Sequence, residues 1–309
     1  MKLLKKCNIP LLIGAIIAAA LFIVGSIFDK SISETFWNRY QLYIPWFTIV
    51  ITLLGPLVTN LFGAFAGASL FFVKTNFNKG LRNFFKVIGL LGIIAVSFFA
   101  YDAGTEFAEV IPHLEDERVR SGLYFLVFSL VVITDVIIFL LVYKNHKRVD
   151  QRNLFWVAST MLVILAITAG GTEVIKYIVS RPRPRIVFPG QEAYRDWWQW
   201  RPLYGFKVHE SKSFISGHSS NAASVPVLLT LFISITRVNE KKHIAAVTSV
   251  IGILYCFVVA LSRVVALAHY MSDIAFGLLY SLIVSMVVSR VMLYFNEKAE
   301  NKVPASNNN

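Results

Sequence analysis

Long apolar runs recur along the chain and are separated by short polar segments. A helix needs about 20 mostly apolar residues to cross a hydrocarbon core of about 30 Å, and several runs reach that length. The pattern predicts an all-α protein, a polytopic transmembrane helix bundle with about eight spans. The predicted spans cover residues 9–28, 47–73, 87–107, 122–143, 154–179, 214–235, 244–266 and 271–295.

Two of these runs have features beyond their length. The first follows a basic N-terminus, as in a secretory signal, but residues 9–28 are long enough to span, which favours an uncleaved helix. The second run contains Gly55-Pro56 and is longer than one perpendicular crossing needs, so we expect a tilted or kinked helix. Gly63 and Gly67 form a G-x-x-x-G pattern, which lets a neighbouring helix approach closely.

Composition and charge narrow the class of protein. Hydrophobic residues make up 56% of the 309 residues, above the roughly 45–50% of soluble domains. The net charge of +12 would suit nucleic acid, but the cations lie in short clusters between apolar spans. We therefore expect the lipid bilayer, and no nucleic acid, as a partner. Cys7 and Cys256 lie far apart without metal-ligand spacing, so we expect no disulfide framework and no metal site. No cofactor is expected either.

The clusters of Lys and Arg predict the orientation of the helices. With the N-terminus in the cytoplasm, the positive-inside rule is satisfied at each short basic loop. The residues on the inner side are then Lys2, Lys5, Lys6, Lys74, Lys79, Arg82, Lys86, Lys144, Lys147, Arg148, Arg152, Arg237, Lys241 and Lys242. The chain is expected to be a multi-pass protein of a plasma (inner) membrane, while its oligomeric state stays open.

The segment from Ser180 to Ser213 breaks this rule, because it lies outside and carries seven cations. These are Arg181, Arg183, Arg185, Arg195, Arg201, Lys207 and Lys212. Pro182 and Pro184 cannot continue the fifth helix, so Lys176 and Arg183 are placed at its end. Cations at helix ends also extend to lipid headgroups, and that simpler explanation applies to this cluster taken alone.

Two further polar clusters lie at helix ends. Ser216, Gly217 and His218 open the sixth span, where unpaired backbone N–H groups and the helix dipole favour an anion. An ordinary N-cap with an incidental histidine is the alternative. Between the seventh and eighth spans, His269 and Asp273 are four residues apart, so in a helix the carboxylate can hold one imidazole nitrogen.

Arg263 precedes that pair and adds a guanidinium. A structural salt bridge at the edge of the hydrocarbon would also explain these charges. The eight-span topology nevertheless places all three clusters in the same outer compartment. A phosphate group is the ligand that suits this set of side chains, which comprises three cations, backbone donors and two histidines, one of them beside a carboxylate.

At these residues the sequence resembles the type 2 phosphatidic acid phosphatase family, the lipid-phosphatase relatives of the vanadium haloperoxidases. The family pattern is K-x6-R-P, then P-S-G-H, then S-R-x5-H-x3-D. Here it appears as Lys176 with Arg183-Pro184, as Ser216-Gly217-His218, and as Ser262-Arg263 with His269 and Asp273. Ile215 stands where the family usually has proline. The resemblance covers roughly residues 170 to 290.

The resemblance implies a phosphatase core at residues 154–295 and a role for each motif residue. The apolar runs predict about four N-terminal transmembrane helices in residues 1–153, and the polar composition of residues 296–309 predicts a disordered tail. His269 would be the nucleophile that forms a phosphohistidine, oriented by Asp273, and His218 the general acid. The phosphoryl oxygens would be held by Lys176, Arg183, Arg263 and the amide groups at Ser216 and Gly217. The site would need no metal, and vanadate should inhibit it.

The implied activity is hydrolysis of a phosphorylated membrane lipid, a monoester or a diphosphate, at the extracytoplasmic face. A phosphotransferase using the same site is an alternative, and a non-enzymatic anion or lipid transporter is a weaker one. A transporter needs polar groups at mid-membrane, where the sequence places Asp135. We expect Asp135 to have a positioning role, and Glu173 to position Lys176 three residues later.

The outer segment also contains a Trp-rich stretch, RDWWQWRPLYGFK, at residues 195–207. Tryptophan and tyrosine prefer the membrane interface, and arginine prefers phosphate. Trp197, Trp198, Trp200 and Tyr204 could therefore admit an anionic headgroup or act as a plain interfacial anchor. His209 has no partner pattern and is left out of the chemistry.

Overall fold

The computed structural model describes residues 8–40, 45–74, 77–106, 117–201, 209–235 and 242–301. These residues form eight long helices and no strand. The helices are α1 Asn8–Tyr40, α2 Trp46–Phe72, α3 Lys79–Thr105, α4 Glu117–Asn145, α5 Gln151–Val179, α6 Gly217–Ser234, α7 Lys242–Val265 and α8 Met271–Asn301. Cys7, Tyr204, Lys207, the basic loop at 236–241 and most of the predicted polar tail lie outside the described residues.

The predicted all-α membrane bundle is confirmed. Among the described residues, seven helices are long and apolar enough to cross a membrane, so the chain is a multi-pass membrane protein. Helix α6 has 18 residues and begins with the polar sequence GHSSN, and it is not among those seven. It is instead enclosed by the other helices, since most of its side chains are buried.

Several helices extend beyond the predicted apolar runs. Helix α1 was expected to end at residue 28 but continues to Tyr40, and α3 begins at Lys79 rather than at residue 87. Hydropathy marks only the part of a helix that lies in lipid, whereas a helix can continue through polar residues that pack against protein. In α1, Asp29 and Ser33 beyond the apolar run are buried in this way.

The close approach predicted at Gly63 and Gly67 occurs between α2 and α3. A Cβ atom on Gly63 would lie 2.5 Å from Val96 Cγ1, and one on Gly67 would lie 2.4 Å from the carbonyl oxygen of Gly89. Larger side chains would therefore push the two helices apart. Helix α4 packs on α2 and α3, whereas α6 contacts α2, α5, α7 and α8, and α1 packs on α7 and α8.

One end of the bundle collects the polar motifs. The C-terminal ends of α3, α5 and α7 lie there with the N-terminal ends of α6 and α8, as the contacts of Glu106 described below show. The opposite end carries the basic residues at the end of α2, the start of α3 and the end of α4. The apolar core lies between these ends and includes Met161, Ile164, Leu228 and Ile274.

Candidate active site

Glu106, the residue that follows α3, joins the three sequence clusters. Its Oε2 accepts a hydrogen bond from Arg263 Nη2 at 2.7 Å, and its Oε1 accepts one from Arg183 Nη2 at 3.4 Å. His218 Nδ1 lies 3.7 Å from Glu106 Oε2. Because Arg183, His218 and Arg263 belong to different clusters, segments about 80 residues apart in sequence meet at one buried carboxylate.

Lys176 reaches the same place from the last turns of α5. Its Nζ forms the expected contact with Glu173 Oε1, at 2.8 Å. A Cβ atom on Gly217 would lie 3.1 Å from Lys176 Nζ, so the ammonium group is beside the first residue of α6. Ser216 is the N-cap of that helix, which is the alternative that the sequence left open, and its backbone N–H donates to the carbonyl of Asp273 at 3.2 Å. The structure thus brings the first two clusters and the start of α8 together.

His269 lies in the turn between α7 and α8, with its side chain fully enclosed. Its Nδ1 is 2.6 Å from the carbonyl oxygen of Ser213. A carbonyl can only accept, so Nδ1 carries the proton and Nε2 keeps its lone pair. This is the tautomer that a nucleophilic Nε2 requires.

The position of Asp273 differs from the sequence prediction. Its Oδ2 lies 4.0 Å from His269 Nδ1, so the two side chains are neighbours without the expected hydrogen bond. Helix α8 begins only at Met271, and Asp273 instead accepts from the backbone N–H of Tyr270 at 2.9 Å. Asp273 Oδ2 also accepts from the hydroxyl of Ser213. The link between Asp273 and the imidazole therefore passes through Ser213. The carbonyl of Ser213 accepts from His269, and its hydroxyl donates to Asp273.

The charges around these residues determine their protonation. Burial is the largest influence on His269, and together with Arg183 and Arg263 it holds the pKa of the imidazole well below its ordinary value, so the ring is neutral near pH 7. Burial alone would raise the pKa of Glu106, but Arg183, His218 and Arg263 outweigh it and keep the pKa of that carboxyl well below its usual range. Glu106 is therefore an anion among cations.

Several buried donors at the site have no hydrogen-bond partner among the described residues. They include Nε and Nη1 of Arg183. Nε2 of His218 also has no partner among the described residues, and it donates only when the imidazole is protonated. The side chain of Arg183 is only 1% exposed, and a buried donor left unpaired is costly, about 1–3 kcal/mol. A tetrahedral oxyanion supplies the several acceptor oxygens that such donors need.

A second buried network supports the first and was not foreseen from the sequence. Arg181 Nη1 donates to Asp29 Oδ2 at 2.9 Å, to Ser272 Oγ at 2.9 Å and to Asp273 Oδ1 at 2.7 Å. Its guanidinium carbon lies 3.8 Å from the centroid of the Tyr270 ring. Asp29 comes from α1, so this network ties the first helix to the start of α8.

Glu106, Asp29 and Ser213 are the main residues that the sequence patterns missed. The two acids stand near the ends of apolar runs, where sequence alone assigns them to helix boundaries. Ser213 acts partly through its backbone carbonyl, which leaves no side-chain signal. Asp135, by contrast, has the expected positioning contacts, since it accepts from Asn60 Nδ2 at 2.9 Å and Ser97 Oγ at 2.6 Å.

The Trp-rich stretch is described as far as Arg201. Trp197 stacks on Phe214 with ring centroids 5.6 Å apart and donates from Nε1 to Ser26 Oγ at 3.0 Å. Its ring thus packs inside the protein, whereas Trp198 and Trp200 are exposed. Trp197 fixes the segment that leads into the second cluster, and the two exposed tryptophans are free to contact lipid.

Comparison with known proteins found a similarity in the C-terminal half of the chain. Residues 157–297 match the family model of the PAP2 superfamily. No curated protein and no solved structure matches the chain. All eight predicted site residues lie inside the matched segment, whereas Asp29, Thr52 and Glu106 lie before it. Thr52 Oγ1 accepts from Arg263 Nη1 at 2.6 Å, so α1, α2 and the end of α3 all contact arginines of the matched segment.

Proposed function

We propose that this multi-pass membrane protein, whose residues 157–297 belong to the PAP2 superfamily, is a lipid phosphate phosphatase that works through a phosphohistidine. PAP2 membership generally implies phosphatase chemistry. One observation carries the finer proposal. Arg183, His218 and Arg263, from three distant segments, meet at Glu106, and Nε and Nη1 of the buried Arg183 have no hydrogen-bond partner among the described residues and would bind an oxyanion.

The cationic groups would supply most of the rate acceleration. Phosphate monoesters hydrolyse extremely slowly in water, so the site must stabilise the transition state by about 20 kcal/mol or more. Lys176, Arg183 and Arg263, with the backbone N–H of Gly217, would hold the three equatorial oxygens of the phosphoryl group. The backbone N–H of Ser216, which the sequence also assigned to the phosphate, is instead bonded to the carbonyl of Asp273. Glu106 keeps two of these arginines in fixed positions before substrate arrives.

The two histidines would divide the chemistry. The lone pair of His269 Nε2 attacks phosphorus, the bond from phosphorus to the ester oxygen breaks, and His218 donates a proton to the departing alkoxide. In the second step His218 takes a proton from water, the hydroxide attacks phosphorus, and the N–P bond breaks to release phosphate. Ser213 and Asp273 are positioning residues, because they hold the imidazole and its turn without touching the reacting atoms.

An apolar cavity beside the site supports a lipid substrate. It has a volume of about 420 Å³ and lies between α2, α3 and α5, where apolar side chains such as Leu91 and Leu162 line it. Asn221 of α6 also lines this cavity, one helical turn after His218. Hydrocarbon attached to a phosphate at His218 would thus have apolar volume within one turn of the reacting group.

The proposal includes an orientation and a division of the chain. The site end would face the extracytoplasmic side of a plasma (inner) membrane, with the N-terminus in the cytoplasm, because basic residues gather at the opposite end. Residues 1–153 would form the N-terminal helices and residues 154–295 the phosphatase core. Helices before the core would still contribute to the site, through Asp29 and Glu106.

Phosphate release by the purified full-length protein in detergent with EDTA tests this proposal. The lipid panel would contain phosphatidate, phosphatidylglycerophosphate, an isoprenyl diphosphate and a lipid A phosphate. We expect release from at least one lipid, inhibition by vanadate, and loss of release in His269→Ala and in His218→Ala. His209→Ala, outside the three motifs, is the control. Turnover within a few fold of the parent in either motif variant would overturn the mechanism. Transfer to a second acceptor in place of water would assign the same site to a phosphotransferase.

A further inference from the structure

A cavity lined by several basic residues lies at the opposite end of the bundle from the candidate active site. It lies between the end of α2, the start of α3 and the end of α4, and has a volume of about 600 Å³. We name it the basic cleft. Its lining comprises Phe71, Phe72, Val73, Lys74, Lys79, Arg82, Asn83, Lys86, Tyr143, His146 and Lys147.

The basic cleft holds five cationic side chains and no acidic one. Among the described residues, none of these five cations takes part in an ion pair. The nearby acid Asp150 is already used as the N-cap of α5, where it accepts from the backbone N–H groups of Arg152 and Asn153. Like charges that share one cavity repel each other unless an anion lies among them.

The start of α3 adds to the positive potential. The helix begins at Lys79, and Asn78 caps it by accepting from the backbone N–H of Leu81 at 2.9 Å. The positive end of the helix dipole therefore lies at the cleft, in line with Lys79 and Arg82. A phosphate group is the anion that this combination of cations and helix end favours.

Apolar surface adjoins the cations. Lys86 Nζ lies 5.6 Å from the centroid of the Phe71 ring, and the ring of His146 stacks on Phe72 with centroids 5.4 Å apart. His146 also lines a neighbouring cavity of about 390 Å³. The side chains of that cavity are mostly apolar and include Phe65, Ile138, Leu141, Val142, Leu154, Phe232 and Ile235. A ligand with a charged headgroup and a hydrocarbon part fits this arrangement better than a small ion.

We propose that the basic cleft binds the phosphate headgroup of an anionic membrane lipid, with hydrocarbon against the adjoining aromatic and apolar surface. A soluble phosphate ester shares the headgroup chemistry, and the experiment below separates the two sources. The 27 residues of α3 separate Lys79 from the candidate active site, a distance of about 40 Å at 1.5 Å per residue. The cleft is thus a separate site, and the proposal does not depend on the proposed function.

The test must separate a built site from general attraction between a basic surface and an anionic membrane. Lys79→Gln with Arg82→Gln removes two charges from the cleft. Lys144→Gln with Lys298→Gln is the matched control, because both lysines are exposed in the last turns of α4 and α8 and neither lines the cleft. Both double variants have the same net charge. The single Arg82→Gln variant is held in reserve should the double variant fold poorly.

The probe is a photoactivatable phosphatidylglycerol in phosphatidylcholine nanodiscs that contain the full-length protein. We expect cross-links within residues 71–86 and 143–147, and labelling lowered about five- to thirtyfold in the cleft variant but unchanged in the control. If unlabelled phosphatidylglycerol competes for labelling and glycerol phosphate does not, the ligand is a membrane lipid. Equal competition by glycerol phosphate supports the same site with a soluble ester. Equal labelling of both double variants, or cross-links spread over all helix ends, would overturn the proposal.

Discussion

The carboxylate of Glu106 accepts a hydrogen bond from Arg263 at 2.7 Å, although 157 residues separate them in sequence. Glu106 lies outside the segment that matches the PAP2 superfamily, yet it also holds Arg183 and approaches His218. The site is therefore completed by a residue from the N-terminal helices. These helices do more than anchor the domain in the membrane.

Glu106→Gln tests this dependence. The amide keeps the shape of the side chain but removes the charge that fixes the two arginines, so we expect kcat for lipid phosphate to fall about tenfold or more. KM should stay equal or decrease, because the pocket becomes more positive towards the phosphate. Glu117→Gln, an exposed acid at the start of α4, is the control. A rise in KM with unchanged kcat would contradict a positioning role.

Ser213 and Asp273 offer a test of how the imidazole is oriented. If Asp273 acts through Ser213, then Ser213→Ala should lower kcat about tenfold, because it removes the hydroxyl link but leaves the carbonyl on His269. Asp273→Asn should lower kcat further, about a hundredfold, because Arg181 then also loses a charged partner. Phosphate release measured for both variants shows whether Asp273 acts on the imidazole through Ser213 or directly. An unchanged rate in Ser213→Ala would favour a direct contact between the carboxylate and the imidazole.

Asp29 is predicted to stabilise the fold around Arg181. Asp29→Asn removes one of two carboxylates that contact a guanidinium only 1% exposed. Loss of one partner of a buried ion pair costs about 3–5 kcal/mol, so the melting temperature in detergent should fall by several degrees. Glu34→Gln, an exposed acid of the same helix, should leave the melting temperature unchanged. Equal melting temperatures for Asp29→Asn and the parent protein would show that α1 does not stabilise the site.

The buried imidazole of His269 gives stability a pH dependence. Burial, with Arg183 and Arg263, holds its pKa well below the usual value of about 6.5. Between that lowered pKa and about pH 6.5 the unfolded chain binds a proton that the folded protein does not, so stability falls as pH decreases through this window. The melting temperature of the parent should therefore fall more than that of His269→Gln between about pH 7.5 and 5.5. Equal changes in the melting temperatures of the parent and His269→Gln over this pH range would show that the pKa of His269 is not lowered in the folded protein.

The sequence predicted the architecture better than the details of the site. Apolar runs identified all eight long helices of the described residues, because lipid imposes a minimum length on the seven that can cross it and α6 is apolar enough to be enclosed by the others. It underestimated α1, whose extension buries Asp29 and Ser33 against protein, and α3, which begins with exposed polar residues. The cations and histidines of the three motifs lie near one another, as the topology led us to expect, and their roles stay predictions.

The contacts around those residues could not be predicted in the same way. Glu106 and Asp29 meet their arginines only after helices far apart in sequence have packed, and no local pattern marks such a meeting. The assumed helical turn between His269 and Asp273 failed because α8 begins between them. A spacing of four residues fixes the face of a helix only when both residues are helical.

Detection of phosphohistidine tests the proposed mechanism most directly. Parent protein and variants would be mixed with radiolabelled p-nitrophenyl phosphate, whose good leaving group needs no protonation, and quenched in alkaline detergent. Because His218 activates the water of the second step, His218→Ala should accumulate base-stable label on the peptide that contains His269, and His269→Ala should carry none. Label on another residue, or undiminished turnover in His269→Ala, would contradict a phosphohistidine at this position.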